Sequence, residues 1–455
     1  MFKKIILTSV LLSFAPYNLY AQEPTLPMGL NNLIETTETE DDTDYSRFTL
    51  NGSIDNRFGT RLSNQRYQRD TSIAEIRLQT DIEYEGDVLT GKLVTDFIYD
   101  NVNRNTSQDF ENGDGYIDLR EANVEFRPND FTDMKVGRQI LTWGVGDLVF
   151  INDIFPKDWN SFFTGRNEIY LKAPSDAIKT SLFLDKANID LVYMPRHDES
   201  RYIDGSRLSF FSQSLMSPSG KNDPIINAEE RNDWFDEDEF ADRIYKNIGS
   251  NELAAYYLNG FWKTPEGVNN SGNYYFPELS VYGASLRSPA LNGILSLETG
   301  YYNSKDDSNG DNNSIRNSEF RYLIGYEKEL SHDFTAGIQY YSEIMQDYGK
   351  YKSSVPVNGI IKDRTRELYT VRLTKMLLQQ KLTLSLFNYY SPTDQDGYIR
   401  PKATYKKTDN LQFEIGGNIF WGNESNLSNG TDEQTTFFGQ FEDNSNIYMG
   451  MKYSF

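Results

Sequence analysis

Alternating apolar and polar positions run through most of the chain from Arg47 onwards. In the stretch 74–84, mainly apolar residues occupy the even positions and polar residues the odd positions. The stretches 334–341 and 411–421 repeat this pattern. A period of two predicts β-strands with one apolar and one polar face. We expect the apolar face to meet lipid and the polar face to line the lumen of a transmembrane β-barrel.

The connections between these runs alternate in length. Tight polar turns are predicted at 85–87, 128–130, 185–186, 330–333 and 407–410, whereas 101–115, 303–316, 346–363 and 423–445 are long and polar. Outer-membrane barrels show this rhythm, with short periplasmic turns and long outer loops. The prediction is therefore an all-β antiparallel barrel.

The number of strands must be even if both chain ends are periplasmic. The obvious runs give an odd number, because strands ending at Met194 and Lys263 would both run outward. Residues 240–246, followed by the turn 247–250, supply the missing inward strand. The total becomes about 18 strands, and 195–239 becomes one large outer loop.

Both chain ends carry export and assembly signals. Lys3 and Lys4 precede a short apolar run, and Leu19-Tyr-Ala21 is an imperfect cleavage site, so 1–21 is predicted to be a signal peptide. Residues 22–46 are predicted to be an acidic, flexible periplasmic segment, and 47–455 the barrel. The final strand alternates up to Phe455, like the assembly signal of Gram-negative outer-membrane barrels.

Composition agrees with an exported barrel and excludes other classes. Aromatic residues make up 14% of the chain, which suits two aromatic girdles, and mean hydropathy is −0.63. The absence of cysteine excludes a disulfide scaffold. A net charge of −22, concentrated partly in the acidic runs 35–44 and 233–242, argues against nucleic acid.

The expected surroundings follow from this class. We expect contacts with outer-membrane lipid, lipopolysaccharide and the barrel-assembly machinery, and a monomer as the oligomeric state. The run 233–242 is expected at the cell surface, where its charge suits divalent-cation bridging to lipopolysaccharide, although simple solvation explains it as well.

Residues 134–163 are the most unusual stretch. They begin with β-forming residues, carry glycines at 144 and 146, and end in an aromatic and charged loop around Pro156. We predict that 149–163 fold into the lumen and constrict it, or else cap the rim. The expected constriction residues are Trp143, Asp153, Lys157, Asp158 and Trp159, with the three charged ones facing the water column.

Arg138 lies in the same stretch. Simple alternation puts it on the lipid-facing side, which costs roughly 2–4 kcal/mol for an arginine at mid-depth. We predict that a bulge at Gly137 turns it into the lumen, where it lines the pore. The alternative is a structural ion pair with a neighbouring strand.

The predicted lumen is polarised. Acidic residues face inward on strands two to four, and basic residues on strands thirteen to fifteen, roughly opposite. The acidic set is Glu75, Asp81, Glu83, Asp96, Glu121 and Glu125, and the basic set is Arg372, Arg400 and Lys402. Such walls would orient a dipolar solute. The alternative is that cross-strand salt bridges neutralise each wall, and the presence of Arg77 among the acidic residues favours this alternative.

Other chemistry is poorly supported. Residues 110–121 resemble a calcium loop, but Phe110 replaces the first aspartate and no flanking helices are predicted. Of the two histidines, His197 and His332, neither belongs to a catalytic motif. We therefore predict no enzymatic activity, no cofactor and no metal.

Two short motifs resemble a known family. Val136-Gly-Arg-Gln139 with Trp143-Gly144, and Phe438-Gly-Gln-Phe441 with Tyr448 and Tyr453-Ser-Phe455, are similar to alginate-export and related porin-like outer-membrane proteins. The resemblance implies an 18-stranded monomeric channel with infolded loops. The alginate exporter of that family has a strongly basic lumen, from which this sequence departs.

Three functions remain open. The sequence favours a passive outer-membrane channel for small or oligomeric hydrophilic solutes. The alternatives are a polysaccharide-export channel and a non-conducting structural or adhesive barrel. A lumen of mixed charge favours the first over the second, because a polyanion needs a continuous basic track.

Overall fold

The computed structural model describes residues 47–63, 67–102, 107–212, 217–231, 233–357, 359–422 and 436–455. They form an 18-stranded antiparallel sheet. The strands are β1 (Phe48–Arg61), β2 (Thr71–Glu85), β3 (Leu89–Asp100), β4 (Ile117–Asn129), β5 (Thr132–Gln139), β6 (Ser175–Phe183), β7 (Asn188–Met194), β8 (Glu239–Ile248), β9 (Asn251–Phe261), β10 (Glu278–Ala290), β11 (Gly293–Ser304), β12 (Glu319–Ser331), β13 (Phe334–Met345), β14 (Thr365–Leu377), β15 (Leu382–Ser391), β16 (Asp396–Lys406), β17 (Leu411–Trp421) and β18 (Asn446–Ser454).

The sheet closes on itself. Each strand pairs with the next one along the chain, and β18 pairs with β1 from Ser53–Ser454 to Arg61–Asn446. Closure leaves no edge strand among the 18, which is what a membrane-spanning sheet requires. The predicted closed barrel of about 18 strands is confirmed.

The strand that parity required is present. β8 pairs with β7 on one side and with β9 on the other, so it restores the up-and-down order. The outer loop before it covers 195–238, one residue shorter than predicted. Part of that loop lies outside the described residues, as do the predicted signal peptide 1–21 and acidic segment 22–46.

Connection lengths follow the predicted rhythm. The eight connections at the end of the barrel that holds Phe48 and Ser454 are two to four residues long. At the other end, eight of the nine are long, and only 392–395 is short. The turn at Leu291 and Asn292 has positive φ at both residues (48° and 61°), the two-residue type that matches strand twist.

An aromatic belt circles much of the outward face near the long loops. Neighbouring rings on consecutive strands lie 5.1–5.8 Å apart at several steps, for example Tyr257 to Tyr282 and Tyr340 to Tyr369. The Tyr390 and Trp421 rings, two strands apart, lie 5.9 Å from each other. The belt consists of Tyr257, Tyr282, Tyr301, Phe320, Tyr322, Tyr340, Tyr369, Tyr390 and Trp421. Such belts mark the membrane–water interface.

Short elements occupy the connections. The α-helices are α1 (Trp159–Thr164) and α2 (Tyr348–Ser354), and 3₁₀ helices cover Glu168–Leu171 and Gly439–Asn444. Two small hairpins pair Phe210–Ser212 with Ser217–Ser219 and Gly267–Val268 with Tyr274–Tyr275. Among the described residues, no helix is long and apolar enough to cross a bilayer.

The apolar core lies inside the barrel. Outward residues such as Ile76, Ile338 and Ile415 are 52–60% exposed to the surroundings, as lipid-facing residues must be. By contrast, Met194 and Phe155 are at most 2% exposed and belong to one cluster in the lumen. The cluster joins inner-wall residues to the long β5–β6 connection.

The β-forming residues that follow Met134 pair in the sheet only as far as Gln139. Positive φ values at Gly144 (81°) and Leu148 (55°) break the extended conformation. The apolar residues that resembled a strand, such as Leu141 and Val149, are buried in the lumen. These residues are apolar because they are buried in the lumen, and not because they pair in the sheet.

Candidate pore constriction

Residues 140–174 connect β5 to β6 and form the infolded segment. Its only α-helix, α1, is capped by Asp158, whose Oδ1 accepts a hydrogen bond from the Ser161 backbone N at 2.7 Å. The helix ends at Gly165, which adopts a left-handed conformation (φ 91°). A Cβ at position 165 would lie 2.3 Å from the Tyr448 ring on β18. The segment therefore reaches across the lumen to another part of the wall.

Glu298 on β11 is the main polar anchor on the far wall. Its carboxylate accepts backbone hydrogen bonds from Val145 (3.1 Å), Gly146 (3.0 Å) and Asn152 (2.6 Å). The Tyr302 hydroxyl on the same strand donates to the Ile151 carbonyl. Backbone N–H groups of the infolded segment have no partner in the sheet, and these contacts give them hydrogen-bond acceptors inside the barrel.

Further anchors follow on β13 and β15. The Gln339 side chain accepts from the Asp147 backbone N at 2.7 Å and donates to the Asp147 carbonyl at 2.8 Å. The Tyr389 hydroxyl donates to the Leu148 carbonyl at 2.9 Å. Together with Glu298, these contacts fix residues 145–152 to strands β11, β13 and β15 of the wall.

Aromatic packing holds the α1 end of the segment. The Phe163 ring lies 5.2 Å from Tyr398, 5.1 Å from Phe420 and 5.3 Å from Phe441. Phe163 is 4% exposed. Burial of one such side chain stabilises by about 1.5–3 kcal/mol, so the segment is bound tightly to β16 and β17.

Arginines hold the segment against β1 to β4. Arg57 on β1 donates to the Gly165 carbonyl at 2.6 Å, and Arg120 on β4 donates to the Lys172 carbonyl at 2.8 Å. Arg166 of the segment pairs with Glu75 on β2 at 2.6 Å. Contacts therefore run around nearly the whole circumference.

The inner wall is covered at this level. Every one of the 18 strands has at least one inward residue that is buried in the outer half of the barrel. One set is Arg57, Arg77, Asp96, Asp118, Gln139, Ala177, Met194, Ala241, Leu258, Val281, Glu298, Leu323, Tyr341, Leu368, Tyr389, Tyr398, Asn418 and Asn446. The infolded segment and the other outer loops thus fill much of the lumen that 18 strands would enclose.

The periplasmic half differs, because its inward side chains are partly exposed. Asp81 on β2 is 28% exposed, and Arg372 on β14 is 21% exposed. Asp147 and Glu168 of the infolded segment are 42% and 32% exposed and face this space. We call it the vestibule: the polar space below the infolded segment.

The predicted acidic wall is neutralised by cross-strand salt bridges. Lys92 on β3 lies 3.5 Å from Asp81 and 2.9 Å from Glu83 on β2. Lys135 on β5 lies 3.8 Å from Glu121 and opposite Glu125 in register. These pairs are the alternative that the sequence left open.

Higher on the same wall, Arg77 bridges Glu75 at 2.9 Å and Asp96 at 2.6 Å. All three side chains are at most 3% exposed. Asp96 is therefore a buried structural partner and does not face the vestibule.

The predicted basic residues are paired with the infolded segment. Arg372 makes two hydrogen bonds to the Asp147 carboxylate, at 2.5 and 2.9 Å. Arg400 and Lys402 lie 3.6 and 3.3 Å from Glu168. Sequence analysis missed Asp147 and Glu168. The signal available in the sequence was that both residues are acidic and lie in a stretch with glycine-rich turns.

The predicted opposition of the two walls is wrong. Arg372 lies on the fourteenth strand, and Arg400 and Lys402 lie on the sixteenth. The third and fifteenth strands are six strands apart by the short way around a ring of 18. Together with the pairing, this spacing leaves no pair of facing, uncompensated charged walls among these residues.

The predicted lumenal position of Arg138 is wrong, because the residue stays on the face that alternation gives it. In register it lies between Ala122 and Asp176, two residues from the outward-facing Val136. Its guanidinium donates to the Leu119 carbonyl at 2.7 Å and pairs with Asp176 at 3.4 Å. It therefore forms the ion pair with a neighbouring strand, beneath an outer loop.

The three charged residues expected to face the water column are buried. Lys157 and Asp153 pair at 3.0 Å with side chains 4% and 6% exposed. Asp158 is 2% exposed, because it caps α1 and lies 3.5 Å from Arg201. Their charges hold the infolded segment together, whereas Asp147 and Glu168 are the residues that meet water.

The two tryptophans are packing residues. Trp143 is 8% exposed, and its ring lies 4.9 Å from Phe155 and 6.0 Å from Tyr256. The Trp159 ring, in α1, lies 6.1 Å from Phe150. Both tryptophans therefore pack the infolded segment.

The chain is similar to three solved outer-membrane structures. These are OccAB2 of Acinetobacter baumannii (9% identity, TM-score 0.52, 90% of this chain and 98% of that one), OccK5 (OpdH) of Pseudomonas aeruginosa (8%, 0.51, 90% and 97%) and OccK11 (OpdR) of Pseudomonas aeruginosa (9%, 0.50, 90% and 95%). No protein-family model and no curated protein matches the sequence. At these identities the likeness shows the fold: a porin-like barrel.

Proposed function

We propose that the chain is a porin-like channel of the Gram-negative outer membrane, which lets small hydrophilic solutes pass passively. The observation that carries the proposal is the infolded segment, whose backbone is tied to Glu298 on the far wall. A segment fixed across a lumen at this depth limits the size of what can pass. The likeness in fold to OccAB2 and OccK5 supports it.

The vestibule favours small polar solutes over a long polyanion. The three basic residues of the predicted basic wall, Arg372, Arg400 and Lys402, each lie within 4 Å of a carboxylate of the infolded segment. Export of an alginate-like polysaccharide, suggested by the resemblance in sequence, would need those charges free. We therefore rank export below passive uptake.

Two features of the surroundings belong to the same proposal. The aromatic belt on β9 to β17 supports burial in lipid at the level of its rings. The constriction is built within one chain, which is compatible with a working monomer. Contacts with lipopolysaccharide and with the assembly machinery stay predictions.

Planar-bilayer recording of the full chain tests the function. We expect discrete conductance steps that are small for an 18-stranded barrel, because the lumen is largely filled. Proteoliposome swelling should admit small sugars and exclude long oligosaccharides. Absence of conductance and swelling in correctly folded protein would favour a structural or adhesive barrel instead.

A further inference from the structure

Two large aromatic side chains lie exposed beside each other on the outer loop that precedes β8. Trp234 is 51% exposed and Phe235 is 68% exposed, and the centres of their rings lie 6.0 Å apart. A contiguous exposed apolar patch often marks a surface that meets lipid or another protein. What covers these two rings depends on which side of the barrel wall they occupy.

Backbone hydrogen bonds hold the turn that carries the rings. The Phe235 backbone N donates to the Pro195 carbonyl at 2.8 Å, and the Glu237 backbone N donates to the Asp233 carbonyl at 3.1 Å. Phe235 has a φ of 68°, in the left-handed region that bulky residues rarely adopt. Such a conformation persists only where the surrounding contacts fix it. The turn therefore presents the two rings in a defined position.

The side of the wall follows from the alternation in β6. Ala177 is 4% exposed and belongs to the apolar cluster inside the barrel, so the neighbouring Asp176 side chain points outward. The Asp176 carboxylate lies 3.2 Å from the guanidinium of Arg196. The same guanidinium lies 5.3 Å from the centre of the Trp234 ring. The Trp234 ring is therefore on the outer side of the wall, and not over the mouth of the barrel.

The two rings also lie next to one end of the aromatic belt. Register places Phe240 of β8 on the same outward face as the belt residue Tyr257 of β9. Phe240 is 40% exposed and pairs in register with Tyr193 of β7. Trp234 and Phe235 come just before β8 in the chain and therefore continue the outward-facing rings from β9 over β8 and β7 towards β6.

The chemistry of the turn suits the boundary between lipid headgroups and acyl chains. Tryptophan favours this boundary, because its ring is apolar and its indole N–H can donate to a polar group. The side chains of Asp233 and Asp236 on the same turn are exposed. Charged groups at such a boundary stay in water while neighbouring apolar groups reach into the lipid.

We propose that Trp234 and Phe235 insert into the outer leaflet of the membrane and anchor the outer loop 195–238 to it. Lipid is the partner that the position favours, because Trp234 lies outside the wall and both rings continue a belt that faces lipid. The turn is then a membrane contact made by a loop, in addition to the contacts made by the strands. The inference requires a barrel in a membrane and does not require conduction.

Quenching of tryptophan fluorescence by brominated lipid tests the proposal on the full chain in phosphatidylcholine vesicles. Bromine atoms near the headgroup end of the acyl chains quench only tryptophans that contact lipid. Trp143, Trp159 and Trp262 pack inside the barrel, whereas Trp421 belongs to the aromatic belt. We expect brominated lipid to quench Trp421 and Trp234. In Trp234→Phe the quenched intensity should fall by roughly half, since one of two lipid-facing tryptophans is lost.

Trp143→Phe is the matched control, because it removes one tryptophan from the interior of the barrel. It should leave the intensity quenched by brominated lipid unchanged. Trp262→Phe takes its place if W143F fails a heat-modifiable gel assay for a folded barrel. Phe235→Trp in the W234F background should restore the quenched intensity, because the proposal places the ring at 235 in lipid as well.

Iodide in the aqueous phase gives the opposing measurement. The emission that is lost in W234F should be poorly quenched by iodide. If W234F keeps the full intensity quenched by brominated lipid, or if iodide quenches the Trp234 emission strongly, the turn faces water and the proposal is wrong. Quenching of Trp234 by neither reagent would mean that a protein surface covers the rings, which also overturns it.

Discussion

The Glu298 carboxylate lies 2.6 Å from the backbone N of Asn152, a residue 146 positions earlier in the chain. The same carboxylate also accepts from Val145 and Gly146. One acidic side chain on the barrel wall therefore orders a loop that has left the sheet. Hydrogen bonds to a charged acceptor are worth roughly 1.5–3 kcal/mol each, about twice a neutral one.

Replacement of Glu298 should loosen the constriction without unfolding the barrel. We expect Glu298→Ala to raise single-channel conductance and its fluctuations, since three backbone N–H groups lose their acceptor. Glu298→Gln, which keeps one acceptor oxygen, should have an intermediate effect. Planar-bilayer recordings measure both.

Glu327→Gln is the control for this series. Glu327 lies on the same face of β12 as Leu323, towards the periplasmic end, and register places it opposite Gly337. It should leave conductance fluctuations unchanged. If E298A and E327Q behave alike, the anchoring role of Glu298 is wrong.

Deletion of residues 152–162 tests the infolded segment as a whole. The deletion removes most of α1 together with Phe155 and Phe162, which are buried in the cluster inside the barrel. We expect a clear rise in single-channel conductance and admission of larger sugars. A folded deletion variant with unchanged conductance and selectivity would show that the segment does not limit passage.

Phe455 extends the pairing between β18 and β1 that closes the barrel. Phe455 and Gly52 exchange two backbone hydrogen bonds of 2.9 Å, and a Cβ on residue 52 would lie 2.5 Å from the Phe455 ring. Deletion of Phe455 should impair assembly, because both the bonds and the terminal aromatic ring are lost. Heat-modifiable gel mobility after expression measures it.

Two variants separate these contributions. Phe455→Ala keeps the backbone bonds and should assemble better than the deletion. Gly52→Leu places a side chain where the ring lies and should resemble F455A. Normal assembly of the deletion variant would contradict the role given to this residue.

Sequence patterns predicted the wall of this barrel well, because alternation and turn composition are local. The parity of strand directions even located β8, whose run Phe240–Lys246 is too polar to be recognised by itself. The charged contacts of the constriction were not predictable in this way. Asp147 and Arg372 are 225 positions apart, and nothing local indicates which charges meet across a lumen.

The error over Asp153, Lys157 and Asp158 has the same origin. Their pattern showed a charged loop within aromatic residues, but not that Lys157 and Asp153 would neutralise each other in the interior. Burial of a compensated pair costs much less than burial of two separate charges. Whether a charge faces water therefore depends on its partner, which only the fold reveals.

The Arg372–Asp147 pair should control ion selectivity. Arg372→Gln leaves the Asp147 carboxylate, 42% exposed in the vestibule, without its bidentate partner. We expect preference for cations to increase, since a negative charge in a narrow polar passage attracts them. Reversal potentials under a KCl gradient measure the change.

The companion variants give a directional check. Asp147→Asn should shift selectivity towards anions, and the double variant R372Q/D147N should lie near wild type. Lys375→Gln is the control on the same strand, because Lys375 bonds to the His332 carbonyl in a periplasmic turn. Equal shifts in R372Q and K375Q would mean that net charge and not this pair sets selectivity.

The outer loop around Glu199 should lose stability as the pH rises. Burial and neighbouring carboxylates raise the pKa of Glu199 to about 8 and that of Asp198 to about 6 in the folded loop, well above their ordinary values. Each of these carboxyl groups binds its proton more tightly in the folded loop than in the unfolded loop. The resulting stabilisation is complete at pH values below the pKa in the unfolded loop, and it is lost as the pH rises through the pKa in the folded loop. Hydrogen–deuterium exchange of 195–209, corrected for intrinsic rates, should therefore show less protection at pH 8.5 than at pH 5.

Two variants check the origin of this pH dependence. Glu199→Gln should flatten the pH dependence of protection, whereas Asp236→Asn should preserve it. Protection that is equal at both pH values in the wild-type chain would contradict the raised pKa values.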